Sequence, residues 1–338
     1  MTEDDVRAHL DALAKPRRSL GRLEDIAVSL ALTQHRLDPR TRPRRIVLFA
    51  GDHGCVADGV SAWPSAVTGM MVATILAGRA TSSALAATHG CDLRLVDVGV
   101  ASARPVAPPP FFRDARVADG TVSLAHDAAM TAAQFDAAWR VGVEEAQAAV
   151  ADGAALLIAG EMGIGNTTPA AALTTLLTGL SPVEAVGAGA GADAAIVVTK
   201  ACVVTAAVAR ATPLLGHDDR AAIASVAGYE IAAMAGFFAE GAARGATLLL
   251  DGYVATAAAL VAAHLAPGSE RAMIAGHLSV EPGHGAALAQ LGLTPMLDWG
   301  MRLGEGSGAL VALPLVDAAA ALLADVARLD AIGAERAD

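Results

Sequence analysis

Apolar positions between residues 6 and 32 recur at helical spacing: Val6, Leu10 and Leu13, then Leu20, Leu23, Ile26 and Leu30. The period predicts two short helices, split at Lys15-Pro16 because proline cannot continue a helical hydrogen-bond ladder. Beyond them the pattern changes. Short aliphatic runs at 46–50, 93–98, 155–159, 247–250 and 272–275 each stop at polar or glycine-rich sequence. Ala-rich helical segments lie between them, at about 64–88, 131–151, 168–179, 194–211, 220–242 and 254–265. Buried strands alternating with helices predict an α/β fold, a Rossmann-like parallel sheet with helices on both faces. Ligands in such folds sit beyond the carboxyl ends of the strands. Asp52, Glu161, Asp251 and His277 fall at those ends. A helical stretch from 309 to about 330 suggests that the chain ends pair, giving a small helical domain (1–35 with 309–338) beside a large α/β catalytic domain (36–308). The Pro-rich segment 101–110 reads as an extended surface loop.

Composition sharpens this picture. Of the 338 residues 54% are hydrophobic, yet aromatics make up only 3%, so the core must consist of close-packed helices and short aliphatic strands. The apolar content raises the question of a membrane span. Asp251, Asp317 and Arg210 interrupt the most apolar runs, and none resembles about 20 uninterrupted apolar residues. Met1 to Leu10 carries acids and lacks the apolar core of a signal peptide. The net charge of −11 argues against a nucleic-acid surface, and the basic cluster at 36–45 reads as a solvated linker. Three scattered cysteines, Cys55, Cys91 and Cys202, form neither a zinc pattern nor a disulfide framework, which fits a reducing, cytoplasmic setting. An acidic protein that binds an anion must hold it with local donors.

The segment Gly160-Glu161-Met162-Gly163-Ile164-Gly165-Asn166-Thr167-Thr168-Pro169 follows a predicted strand and opens a predicted helix, with Thr167 or Thr168 as cap and Pro169 at the first helical position. Its glycines let backbone N–H groups approach a phosphate; an ordinary strand-to-helix turn is the alternative. It lacks the lysine of a Walker loop. The glycines at 187, 189 and 191 resemble a dinucleotide fingerprint with its third glycine one position early and no clear strand before it. Lys200 follows on a helix, where most lysines are solvated. Asp52-His53 with Cys55 suggests a metal, but neighbours on one turn rarely converge on an ion, and nothing marks Cys55 as a low-pKa nucleophile. His277 and His284 flank Ser279, without the elbow of a nucleophilic serine. In Arg302-Leu303-Gly304-Glu305-Gly306-Ser307-Gly308 a carboxylate stands among glycines before an apolar helix, with Ser307 as a possible cap. Such a frame implies unusual backbone angles or close ligand approach. Glu305 either abstracts a substrate proton or merely faces the helix dipole.

Read in order, several segments resemble the nicotinate-nucleotide–dimethylbenzimidazole phosphoribosyltransferase family. They are Lys15-Pro16 with Ser19 to Glu24, Ala50-Gly51-Asp52-His53-Gly54, Asp58-Gly59-Val60-Ser61, Glu161 to Ala171, Leu249-Leu250-Asp251-Gly252, and Arg302 to Ala309. The resemblance implies the Rossmann-like domain, the helical domain from both ends, and a homodimer. It implies Glu305 as catalytic base, donor binding by Glu161, Gly163, Asn166, Thr167, Thr168 and Lys200, and a base pocket formed by Met162 and Leu303, with Trp63 and Met71 on its wall. The substrates implied are nicotinate mononucleotide and a benzimidazole-type base, with no cofactor and no metal. Arg17-Arg18 and the 187–193 stretch depart from the family pattern. The competing readings are a non-catalytic nucleotide-binding paralogue and an NAD-dependent dehydrogenase using the 187–191 glycines.

Overall fold

The computed structural model describes residues 1–333. The end of the expected small helical domain, 334–338, lies outside the described residues. The strands are β1 (Arg44–Gly51), β2 (Asp92–Gly99), β3 (Phe112–Asp114), β4 (Leu156–Met162), β5 (Thr247–Leu250) and β6 (Met273–Ala275). They form one parallel sheet in the order β3-β2-β1-β4-β5-β6. The helices are α1 (Glu3–Asp11), α2 (Arg22–Gln34), α3 (Ala66–Leu76), α4 (Thr81–Thr88), α5 (Ala132–Ala151), α6 (Thr167–Thr178), α7 (Pro182–Ala185), α8 (Ala194–Ala211), α9 (Asp219–Ala224), α10 (Tyr229–Ala243), α11 (Tyr253–Leu265), α12 (His284–Gln290) and α13 (Ser307–Asp325).

This is the doubly wound order. After β3 the chain returns to the centre of the sheet and extends it in the opposite direction, so a crevice opens at the carboxyl ends of β1 and β4. Alternation along β1 shows how the sheet is buried on both sides. Val47 and Phe49 meet the layer of α5, α6, α10 and α11, while Ile46, Leu48 and Ala50 meet α1, α2, α4 and α13. The terminal helices α2 and α13 pack together, Leu13 bridges Arg328, and all of them share one buried cluster with Ile158 and Leu249 of the sheet.

The scarcity of aromatics has its counterpart in the helix packing. A Cβ on Gly142 of α5 would lie 1.8 Å from the carbonyl oxygen of Ala233 in α10, and one on Gly236 would lie 2.1 Å from that of Trp139. The two helices meet backbone to backbone, which only small residues permit.

Several local expectations change. The 64–88 segment is two helices, because the chain turns at Gly78 with a φ of +69°. The 220–242 segment breaks into α9 and α10 around Val226-Ala227-Gly228. By length and composition, Ala66–Thr88, Ala194–Leu214 and Ser307–Asp325 reach what a membrane span needs, although no run is free of polar residues. The first is interrupted at Gly78, and the last lies largely buried against the sheet.

Candidate active site

β1 and β4 pair so that Ala50 is level with Met162, and the chain leaves both strands into the crevice. From β4 come Glu161, Met162 and Gly163, and the turn then enters α6. Asn166 occupies the N-cap position and Thr167 is the first helical residue; no threonine side chain caps the helix, and Pro169 stands at the third helical position rather than the first. Gly165 holds a φ of +89°, which lets the turn tighten in front of the helix.

Glu161, Met162, Gly163, Asn166, Thr167, Lys200 and Leu303 together line one cleft. Glu161 is buried, its carboxylate accepts a hydrogen bond from Asn166 Nδ2, and Gly304 packs directly over it. Burial first, and then the nearby carboxylates of Asp251 and Glu230, push its carboxyl up to about 8. Lys200 is not a solvated helix residue: it is 1% exposed, and its Nζ donates to Thr167 Oγ1 at 2.9 Å and to the Gly187 carbonyl at 2.8 Å. Burial lowers its pKa, against the opposing charge of Glu281. Glu281 in turn accepts from the Gly189 N–H at 2.8 Å. The glycine loop is thus held by Lys200 and Glu281. It follows the short helix α7 rather than a strand, so it lacks the geometry of a dinucleotide fingerprint.

Three consecutive residues before α13 are left-handed: Gly304 (φ +86°), Glu305 (φ +58°) and Gly306 (φ +71°). A non-glycine residue in this region is strained and is held there by its surroundings. One constraint is Gly160 of β4, where a Cβ would lie 2.5 Å from Gly306 N and 2.7 Å from Glu305 C. Another is Asp251 at the end of β5, whose carboxylate accepts from the N–H groups of Gly306, Gly308 and Ala309. Ser307 is therefore the first helical residue rather than the cap; Asp251 caps α13 from across the sheet. The Glu305 carboxylate is buried next to the cleft lining and accepts a 3.0 Å hydrogen bond from Ser82 Oγ on α4.

Other expected site residues lie elsewhere. Thr168 is fully buried beneath the turn. Trp63 stands at the rim, half-exposed, its indole N–H donating to the Ala190 carbonyl at 3.0 Å. Met71 is half-buried on α3, outside the cleft lining. Asp52 and His53 diverge: Asp52 accepts from Ala101 N at 2.8 Å, whereas His53 lies 3.0 Å from Glu230 in a fully buried pair. His284 accepts from the backbone N–H of Ser279, not from its hydroxyl, and burial holds its pKa down at about 3, so the Ser279 triad is not assembled. Burial pushes the Cys55 thiol up to about 12, the reverse of an activated nucleophile.

A family model described as phosphoribosyltransferase matches residues 1–333. The protein from Solidesulfovibrio magneticus named nicotinate-nucleotide–dimethylbenzimidazole phosphoribosyltransferase is 45% identical over 329 residues, covering 97% of this chain and 93% of the relative. The chain belongs to the nicotinate-nucleotide–dimethylbenzimidazole phosphoribosyltransferase family. A second relative of that name, from Mycobacterium avium, is 47% identical over 325 residues, covering 95% and 91% of the two chains. The crystal structure of CobT from Thermus thermophilus superposes with a TM-score of 0.95 at 43% identity, covering 99% of each chain. The match of this phosphoribosyltransferase fold therefore includes the doubly wound sheet and nearly all the chain around it.

Proposed function

We propose that this chain transfers the ribose phosphate of nicotinate mononucleotide to a nitrogen of 5,6-dimethylbenzimidazole or a related base, giving α-ribazole 5′-phosphate and nicotinate, with Glu305 as general base. The observation that carries this reading is the position of Glu305: a buried carboxylate in a left-handed glycine turn, beside a cleft whose wall carries Lys200 and the Gly163–Thr167 turn. The glycosidic nitrogen of the donor is a pyridinium, so the C1′–N bond can break with its electron pair returning to the ring and no acid assisting. The acceptor nitrogen forms the new bond from the opposite face, which inverts C1′, and the proton on its other nitrogen passes to Glu305. The donor carries no pyrophosphate, so the reaction requires no metal clamp.

In this reading Lys200 and the turn hold the 5′-phosphate, with Glu161, Asn166, Thr167 and Thr168 shaping that side of the cleft. Met162 and Leu303 contact the acceptor ring, and Trp63 and Met71 belong to its outer approach. In this reading the protein works in the cytoplasm as a homodimer. Incubation with nicotinate mononucleotide and a panel of benzimidazoles, adenine and phenols, with products identified by mass, tests the assignment. Release of nicotinate coupled to an α-ribosylated base is the expected result. Donor binding without turnover for every base would instead indicate a non-catalytic paralogue, and quenching of NADH fluorescence would favour the dehydrogenase.

A further inference from the structure

We propose that Asp251 is the positioning residue for the base: by occupying the N–H groups that open α13, it keeps the Glu305 carboxylate off its own helix and free for the acceptor. The inference rests on the reading of Glu305 as the base.

An α-helix leaves its first N–H groups without intrahelical partners, and these attract the nearest anion. α13 has no cap in its own sequence, since Gly306 is at the N-cap and the Ser307 side chain makes no capping bond. The carboxylate nearest in sequence is that of Glu305, one residue before the N-cap. Negative charge is favoured at such an N-terminus, and a carboxylate that accepts N–H bonds is a poorer base. In this structure the position is taken. Asp251 Oδ2 lies 3.0 Å from Gly306 N, and its Oδ1 lies 2.7 Å from Gly308 N and 3.2 Å from Ala309 N. Asp251 is itself 3% exposed and is anchored at the end of β5, with His277 Nε2 3.6 Å from its Oδ1. Glu305 correspondingly bonds to Ser82, on a different helix. Asp251 thus ties the left-handed turn to the sheet and removes the donors that would otherwise capture the base.

The test is a double-substitution cycle. Asp251→Asn keeps the side-chain shape but presents an amide NH2 to backbone N–H groups. We expect it to lower kcat at saturating substrates by roughly 10- to 100-fold, the scale of a misplaced catalytic group. KM for nicotinate mononucleotide should change much less. In a Glu305→Gln background the same substitution should lower the residual kcat by less than about threefold, because the group it positions is gone. Equal proportional losses in both backgrounds, or wild-type kcat for Asp251→Asn beside a slow Glu305→Gln enzyme, would overturn this inference and leave the base assignment standing. Wild-type kcat for Glu305→Gln would overturn both. Should Asp251→Asn fail to fold, Asp251→Glu enters the same cycle with the same criteria, since it retains the charge but displaces both oxygens.

Discussion

The Ser82 hydroxyl donates to Glu305 Oε2 at 3.0 Å in a fully buried contact, so a residue of the second helix after β1 fixes the orientation of a carboxylate from the last segment of the fold. Removing the carboxylate and removing its tether should have graded effects. Glu305→Gln is expected to lower kcat by about 10²–10⁴-fold, the usual contribution of a general base. Ser82→Ala should lower it by about 10-fold, since it costs one hydrogen bond to a charged group and leaves the base present. Steady-state kinetics on variants with unchanged circular dichroism checks the order; a larger loss for Ser82→Ala would contradict it.

Gly160 has no room for a methyl group, because the Glu305-Gly306 backbone and Leu48 Cδ2 all lie within 2.7 Å of its would-be Cβ. Gly160→Ala should therefore destabilise the protein by about 1–3 kcal/mol through overpacking, and should also reduce turnover by displacing the turn. Gly285→Ala is the control, since nothing lies within 4 Å of that position. Thermal unfolding and kcat of the two variants should separate cleanly.

Lys200, on the cleft wall, donates to Thr167 of the same wall and to the Gly187 carbonyl behind it. Lys200→Met keeps the buried length of the chain and removes the charge. Loss of a charge-assisted hydrogen bond to phosphate, about 1.5–3 kcal/mol, should lower kcat/KM for nicotinate mononucleotide by about 10- to 100-fold. The KM for the acceptor base should move far less. Varying each substrate separately distinguishes this from a general loss of folding, which would affect both.

The carboxyl of Glu161, pushed up to about 8 chiefly by burial, makes stability depend on pH. Between roughly pH 4.5 and pH 8 the unfolded chain ionises this group while the folded chain keeps the proton. Folding is therefore progressively penalised as pH rises through that window, and the penalty is constant above it. Glu161→Gln removes the penalty. Its unfolding midpoint should gain on the wild type steadily from pH 5 to pH 8 and then level off. A difference that is flat across the window would mean that Glu161 is ionised in the folded state.

Much of the architecture was legible because β1, β4, β5 and β6 are buried on both faces, so short aliphatic runs stand out against the Ala-rich helices. The observed α8 matches its expected bounds because Asp193 caps it, accepting from Ile196 N at 2.9 Å. β3 was not legible, since three residues in a Pro-rich neighbourhood carry no period. The glycine frame marked Glu305 as a place of unusual backbone angles or close ligand approach, and its φ of +58° is such an angle. Of the residues that control it, Asp251 stood out only as a strand-end carboxylate and Ser82 not at all, because the contacts of Asp251 with Gly306 and of Ser82 with Glu305 span 55 and 223 positions. Lys200 looked solvated for a similar reason: its burial is created by the glycine loop and Glu281, which only the tertiary fold brings beside it.

α13 follows the last strand, so a ribosome delivers both walls of the crevice before it delivers residue 305. A growing chain that has completed β6 already holds Gly163, Asn166 and Lys200 but not the proposed base, and the strip of Ile46, Leu48, Ile158 and Leu249 still lacks the cover that α13 adds to that of the earlier helices. Exposed aliphatic surface of this kind is what makes unfinished chains adhere to one another. The docking of one helix then does two jobs in a single event. It hides the adhesive strip, and it brings the proposed proton acceptor into place, so on this reading the molecule gains its chemistry as it loses its tendency to aggregate.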